Sequence, residues 1–222
     1  MKYPVEWGLY LVTDTGLSCG RPDEEIVACA IRGGARVVQY RDKDACTRRM
    51  IETARSLCGL CRAHRIPFLV NDRLDVALAV DADGIHVGQD DMPVPLARRL
   101  LGPGKILGVT AHTVEEALKA IEEGADYIGA SPIFTTATKS DIGEPIGLNG
   151  LEKIAAACRV PVIGISGINA ANADKVIRAG AAGVAVVSAI VSAEDVEKAA
   201  RELTRIIAGC SPERHRTEKH RN

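Results

Sequence analysis

The 222-residue sequence predicts a single α/β domain, a (β/α)8 TIM barrel, on three observations. Short apolar runs alternate eight times with amphipathic stretches. The runs are continuously apolar, as parallel strands buried on both faces must be. A common joint also recurs where a helix hands over to a strand: Gly33-Gly34-Ala35, Gly124-Ala125-Asp126 and Gly180-Ala181-Ala182, with Ala82-Asp83-Gly84 as a variant. Glycine just past the last helical turn supplies a left-handed cap, and a small residue lets the chain fold back closely onto the sheet. Repetition of the joint argues against unrelated domains. A doubly wound open sheet uses the same unit, but no Gly-x-Gly-x-x-Gly follows the first strand. Polar residues also follow many strands instead of collecting at one switch point.

In chain order, the apolar runs place strands at residues 8–13, 36–40, 67–70, 84–87, 105–109, 127–130, 161–165 and 183–187. Helical patterns cover residues 22–31, 47–63, 113–123, 169–179 and 193–207, each with apolar residues on a 3.6-residue period. The barrel takes residues 1–208. Residues 209–222 lack apolar periodicity and read as a frayed, disordered polar tail.

Net charge is -1, with 46% hydrophobic and 26% charged residues, so no basic excess points to nucleic acid or an anionic membrane surface. No apolar run approaches the roughly 20 residues of a membrane span. Met1-Lys2-Tyr3-Pro4-Val5-Glu6-Trp7 enters the first strand without the apolar core of a signal peptide, which gives a cytoplasmic expectation. Among seven cysteines, Cys58-Gly59-Leu60-Cys61 has metal or redox spacing. It lies inside a helical pattern and has no second pair to complete a zinc site. With Cys29 and Cys158 on apolar helix faces, it reads as reduced core.

A barrel turns the carboxyl ends of all its strands to one rim. After the second strand, alternation puts Gln39, Arg41 and Lys43 on one face and Tyr40 and Asp42 on the other. Two cations and an amide suit a multiply charged anion such as pyrophosphate. The third strand contributes Asn71-Asp72-Arg73, the fourth His86-Val87-Gly88-Gln89-Asp90-Asp91 and the fifth Thr110-Ala111-His112. The sixth adds Thr135-Thr136-Ala137-Thr138-Lys139. Carboxylates at 72, 90 and 91 would repel a pyrophosphate unless a divalent cation lay between, and Mg2+ favours that arrangement. Singly, Asp72 reads equally well as the N-cap of a helix beginning Leu74-Asp75-Val76-Ala77, and Asp90-Asp91 as a solvated loop. Gly164-Ile165-Ser166-Gly167-Ile168-Asn169 and Val187-Ser188-Ala189 form a second anion site, of the kind barrels place between their last two loops.

Together these segments, with Leu9-Tyr10-Leu11-Val12-Thr13-Asp14 and Pro132-Ile133-Phe134-Thr135-Thr136, resemble the thiamine-phosphate synthase family over residues 9–207. The resemblance implies condensation of 4-amino-2-methyl-5-(diphosphooxymethyl)pyrimidine with thiazole phosphate, or its carboxylated form, releasing pyrophosphate. It implies that Gln39, Tyr40, Arg41, Asp42, Lys43, Asn71, Thr110 and Lys139 hold the pyrimidine pyrophosphate, with Arg41, Lys43, Lys139 and Thr110 carrying the catalysis. Thr136, Ala137, Thr138, Gly167, Val187 and Ser188 would hold the thiazole phosphate. Asp72 and Asp91 would bind one Mg2+ per active site, with Asp90 at a less restricted position. Partners are then two small phosphorylated substrates, without nucleic acid or membrane; a homo-oligomer is left open.

Those roles favour a dissociative departure of pyrophosphate followed by attack of the thiazole nitrogen, with no protein nucleophile; His112 reads as structural in preference to a general base. Two positions depart from the family pattern. Ser166 stands where Gly or Ala is usual, and residues 143–148 match loosely. Alternatives are a thiazole tautomerase of the same superfamily, which needs no metal and pyrophosphate cluster, a non-catalytic thiazole or thiamine phosphate sensor, and an unrelated phosphate-binding barrel.

Overall fold

A computed structural model describes residues 5–136 and 144–210. Eight parallel strands close into a barrel in sequence order: β1 Leu9–Val12, β2 Val37–Tyr40, β3 Phe68–Asn71, β4 Gly84–Val87, β5 Ile106–Ala111, β6 Tyr127–Ala130, β7 Val162–Ile165 and β8 Gly183–Val186. β8 returns to β1, with Tyr10 opposite Ala185. The helices are α1 Asp23–Arg32, α2 Thr47–Ala63, α3 Leu74–Ala79, α4 Val94–Leu101, α5 Val114–Glu122, α6 Gly147–Ala157, α7 Ala173–Arg178, α8 Ser188–Val191 and α9 Val196–Cys210. No helix among the described residues is long and apolar enough to cross a membrane.

The elements match the periodicity closely, and the differences have local causes. β3 extends to Asn71 and β5 to Ala111 because their ladders continue, Asn71 opposite His86 and Ala111 opposite Ala130. α7 starts at Ala173 rather than 169 because an asparagine turn intervenes. There the Asn169 N–H donates to Asn172 Oδ1 at 2.8 Å, and Asn169 Oδ1 accepts from the Ala171 N–H. α9 starts late, at Val196, where Asp195 Oδ1 accepts the Lys198 N–H at 2.9 Å, an N-cap bond. It runs through Cys210, three residues past the apolar pattern. The repeated joints carry left-handed glycines, with φ of +103° at Gly34, +111° at Gly124 and +98° at Gly180.

Alternation along the strands sorts side chains into two layers. Tyr10, Val12, Val37, Leu69, Ile106, Tyr127, Ile163 and Ala185 fill the barrel, and Trp7 packs on Tyr127 with ring centres 4.7 Å apart. Their strand neighbours, among them Leu11, Val38, Phe68, Ile85, Leu107 and Ile128, face outward under the helices. Both faces of every strand are therefore dry, which is why the runs are continuously apolar. α9 closes the outer layer through Val196, Ala200, Leu203 and Ile207, spaced for one helical face against α1 and α7. Full burial of a side chain such as Leu203 contributes about 1.5–3 kcal/mol.

Cys58 and Cys61 sit on the buried face of α2, and Cys58 Sγ lies 3.7 Å from the Val80 carbonyl oxygen. Burial pushes both thiols above their ordinary range, so neither is a thiolate at neutral pH. All seven cysteines are unpaired.

Two glycine substitutions test this packing. A Cβ at Gly84 falls 2.1 Å from the Ile106 carbonyl oxygen, whereas at Gly59 on exposed α2 it meets nothing within 4 Å. Gly84→Ala should lower unfolding free energy by about 3 kcal/mol or more, because a backbone obstacle cannot move as a side chain does. Gly59→Ala should raise it by about 0.5–1 kcal/mol, the helix-propensity gain. Urea unfolding of both variants checks the pair, and the opposite ranking would refute the packing described.

Candidate active site at the carboxyl mouth of the barrel

Seven of the eight strands, with Ser131 just past the end of β6, line one cavity of about 450 Å3 at the carboxyl ends. Odd-numbered residues of β2 point inward, and Gln39 lines the cavity together with Arg41 and Lys43, which follow the strand and stay on the same side. Tyr40 and Asp42 point the other way and do not reach the cavity. Tyr40 is fully buried in the outer layer, where burial raises its phenol to about 12. The Asp42 carboxylate caps the following loop, accepting the Asp44 and Ala45 N–H groups and the Thr15 hydroxyl. Neither side chain lines the cavity, where the resemblance had placed both among the ligands of the pyrimidine pyrophosphate.

Arg41 is held from two sides. Its backbone N–H donates to Thr13 Oγ1 at 3.0 Å, and its guanidinium pairs with Asp14. Its Nε–H is buried and has no partner among the described residues. A buried donor left over in this way is costly unless an acceptor arrives. Asp14 was legible only as part of a motif; its role as the arginine's anchor depends on β1 and β2 being neighbours.

Asp72 and Asp91 meet across the ends of β3 and β4. Asp72 does not cap α3, whose N-cap is Arg73 with no side-chain bond. Instead it adopts a left-handed conformation, φ +58°, and its N–H donates to the His86 carbonyl at 2.8 Å. This aims its carboxylate into the cavity, where Lys43 Nζ donates to Oδ2 at 2.6 Å. Asp91 Oδ2 accepts the Gly88 N–H at 2.7 Å, and the two carboxyl groups interact electrostatically. Burial pushes both upward, but Lys43 and Asp91 outweigh it at Asp72, whose carboxyl stays below the ordinary range. Asp91 is raised by burial and by Asp72, partly offset by the Gly88 N–H. Two carboxyl groups side by side are driven apart in this way, one favouring its charged form and the other its neutral form. Asp90 does not line the cavity.

Asn71, Thr110, Thr136, Gly167, Val187 and Ser188 also line the cavity. Ala137, Thr138 and Lys139 lie outside the described residues, as do residues 211–222 of the proposed tail. His112 reaches the rim with Nδ1 2.5 Å from the Ser131 carbonyl oxygen, and its N–H donates to Glu116 of the α5 start. At the far wall, Gly167 has φ +69° and approaches the Thr135 carbonyl so closely that a Cβ would fall 2.7 Å away. Beside it, the first turn of α8 leaves N–H groups without intrahelical acceptors. Arg21 fixes that helix by donating to the Val191 and Ala193 carbonyls at 2.7 and 2.8 Å. Tyr10, Tyr127 and His86, to which the motifs assign no role, also point into the barrel, and the signal for this is the parity of their positions along β1, β6 and β4.

The unusual serine does sit in restricted backbone. Ser166 has φ +79°, and its hydroxyl lies 3.1 Å from that of Ser131. Relief of left-handed strain, less the entropy glycine adds to the unfolded chain, should make Ser166→Gly more stable by roughly 0.5–1 kcal/mol. Ser166→Val should be destabilised. Equal denaturation midpoints for the three proteins would show that the site carries no strain.

The model of the family described as thiamine monophosphate synthase matches residues 9–190. The thiamine-phosphate synthase of Chloroflexus aurantiacus is 58% identical over 204 residues, 92% of this chain and 94% of that one. The thiamine-phosphate synthase of Moorella thermoacetica is 52% identical over 91% of this chain and 96% of its own. The solved thiamine phosphate pyrophosphorylase of Pyrococcus furiosus superposes with a TM-score of 0.85 at 43% identity, covering 93% of this chain and 98% of that one. A 3-hexulose-6-phosphate synthase at 18% identity and TM-score 0.64 shares the fold alone. A family match along nearly the whole barrel, joined to a mouth with cations and paired carboxylates at one end and a glycine loop at the other, places this chain in the thiamine-phosphate synthase family.

Proposed function

We propose that the mouth joins a pyrimidine carrying a pyrophosphate leaving group to a thiazole phosphate, giving thiamine phosphate and pyrophosphate. The supporting observation is the division of one cavity into two anion-binding ends. Gln39, Arg41, Lys43 and the carboxyl pair occupy the β2–β4 side, and Gly167 and the α8 start occupy the β7–β8 side. A tautomerase acting on thiazole phosphate alone has no use for the first end.

The donor set fits Mg2+. Asp72 and Asp91 turn into the same part of the cavity, where Asp72 is held below the ordinary carboxylate range and Asp91 above it, and no group of three or more His, Cys, Asp or Glu ligands gathers among the described residues. Mg2+ suits such a site, being held by one or two protein carboxylates and completed by water and phosphate oxygens. When bound it neutralises charge on the pyrophosphate oxygens.

The chain's own residues supply the rest. Arg41, held by Asp14, offers its spare Nε–H to the leaving group, and Lys43 is free to exchange Asp72 for a phosphate oxygen. Thr110 adds a hydroxyl and Asn71 an amide from adjoining strands. These charges meet the departing pyrophosphate in a prearranged site, which is the larger electrostatic contribution. The α8 turn and Gly167 loop hold the thiazole phosphate so that its ring nitrogen faces the carbon being released, and this positioning replaces a covalent intermediate. Seven unpaired cysteines support a cytoplasmic location.

The test is turnover of both substrates with Mg2+, followed by release of pyrophosphate and formation of thiamine phosphate. No turnover with authentic substrates would overturn the proposal. Asp72→Asn tests the metal role better than alanine, because asparagine tolerates the left-handed backbone. It should reduce turnover by about 10²–10³-fold, the scale of losing one transition-state electrostatic contact. Its Mg2+ requirement should rise while its melting temperature stays near that of the parent. An unchanged Mg2+ requirement would remove the carboxylate from the metal site.

A further inference from the structure

Beneath the mouth, polar groups cross an otherwise apolar barrel in a continuous line. Gln39 Nε2 donates to Tyr10 Oη at 2.7 Å, and Tyr10 Oη lies 2.9 Å from Tyr127 Oη. Tyr127 Oη lies 2.7 Å from His86 Nδ1, and His86 Nε2 lies 2.8 Å from Thr110 Oγ1. The line runs from β2 through β1, β6 and β4 to β5, joining residues up to 117 positions apart. Space has been cleared for it. A Cβ at Gly108 would fall 2.1 Å from the Tyr127 ring, and one at Gly129 would fall 2.9 Å from the His86 ring.

We propose that Tyr10, Tyr127 and His86 act as positioning residues that fix the polarity of this line, so that the Thr110 hydroxyl donates its hydrogen into the cavity. The deduction is an accounting of hydrogens in a dry interior, where each buried polar group needs a partner. Tyr10 and Tyr127 are 1% and 0% exposed, and burial raises both phenols, so each keeps one hydrogen. Tyr10 receives a hydrogen from Gln39, which leaves Tyr127 as the acceptor for its own. Tyr127 must then give its hydrogen to His86 Nδ1. That makes Nδ1 the acceptor and places the ring hydrogen on Nε2, which donates to Thr110 Oγ1. The Thr110 hydroxyl, already accepting, turns its hydrogen out of the line. With the opposite polarity it would donate to Nε2 and present only lone pairs to the cavity.

The polarity matters if the pyrophosphate lies beside Thr110, and here the inference rests on the function proposed above. Pyrophosphate oxygens only accept, so the line decides whether this hydroxyl attracts or repels the leaving group. A prearranged donor needs no reorientation as charge builds. Successive hydrogen bonds polarise one another, which strengthens the terminal donor.

Two measurements on the full chain test the proposal. Nitrogen-15 spectra of the substrate-free protein, with His86 assigned through a His86→Gln variant, should show hydrogen on Nε2 and a bare Nδ1. Tyr127→Phe, checked for an unchanged circular dichroism spectrum, should lose that single tautomer. Hydrogen on Nδ1 in the parent protein would overturn the proposal. In steady state, Tyr127→Phe should lower kcat by about tenfold, the worth of roughly one hydrogen bond, with little change in KM for thiazole phosphate. A double-mutant cycle with Thr110→Val separates positioning from structure: Tyr127→Phe should cost almost nothing once Thr110 has lost its hydroxyl. Additive losses would overturn the positioning role. If the parent protein does not join the two substrates, the function proposed above fails and the proposed role fails with it; the tautomer measurement reports the line's polarity either way.

Discussion

Because the eight strands close on themselves, each backbone ladder finds a neighbour and every strand acquires one face inside the barrel and one beneath the helices. Parity along a strand therefore decides everything that follows. Even- and odd-numbered residues of β2 part company, Gln39 and Arg41 going to the cavity and Tyr40 to the outer core. The same rule places Tyr10, Tyr127 and His86 inside, and it brings Asn71, Thr110 and Ala185 to one rim from distant parts of the chain. A register slip of one residue would exchange the polar lining for apolar side chains and bury the charges.

Around that frame, the mouth is organised by pairing its charges before any ligand arrives. Arg41 rests on Asp14 and Lys43 on Asp72, so the cations are held without neutralising the whole cavity. Within the carboxyl pair, burial and the neighbouring Asp72 raise Asp91, while Lys43 helps to hold Asp72 low. Backbone conformation serves the same end. Asp72 and Ser166, neither of them glycine, hold left-handed angles at opposite sides of the mouth. Such positions cost about 1–3 kcal/mol each and persist where surrounding structure fixes them. At Asp72 the N–H bond to His86 does so; at Ser166 the Ile133 and Phe134 N–H groups of the loop after β6 donate to the Ile165 and Ser166 carbonyls.

The barrel interior shows the other side of this economy. A wholly apolar filling would be simpler, yet a tyrosine pair, a histidine and a glutamine occupy it. They are tolerable because their hydrogen bonds form a chain that ends at the solvent-facing mouth. Glycines at 108 and 129 leave room for the rings, and Trp7 covers the tyrosines with its own ring. Packing and polarity were thus settled together, one strand supplying the bulk and its neighbour the vacancy.

The sequence by itself determined the strand–helix alternation, the helix-ending glycines and the residues that emerge at the strand ends, because these depend on local periodicity and short-range conformational preference. It also exposed Gln39, Arg41 and Lys43 as one face, since alternation is a property of a single strand. Only the tertiary structure decided which of the polar residues meet. It removed Tyr40 and Asp42 from the cavity, turned Asp72 from a plausible helix cap into a carboxylate facing Lys43 and Asp91, and gave Arg41 its Asp14 anchor. It joined Tyr10 to Tyr127 across 117 positions of chain. Such contacts are set by barrel closure and register between strands. The physical reason they escape a linear reading is that hydrogen bonds and charge pairs depend on distances of a few ångströms between segments that share no local pattern.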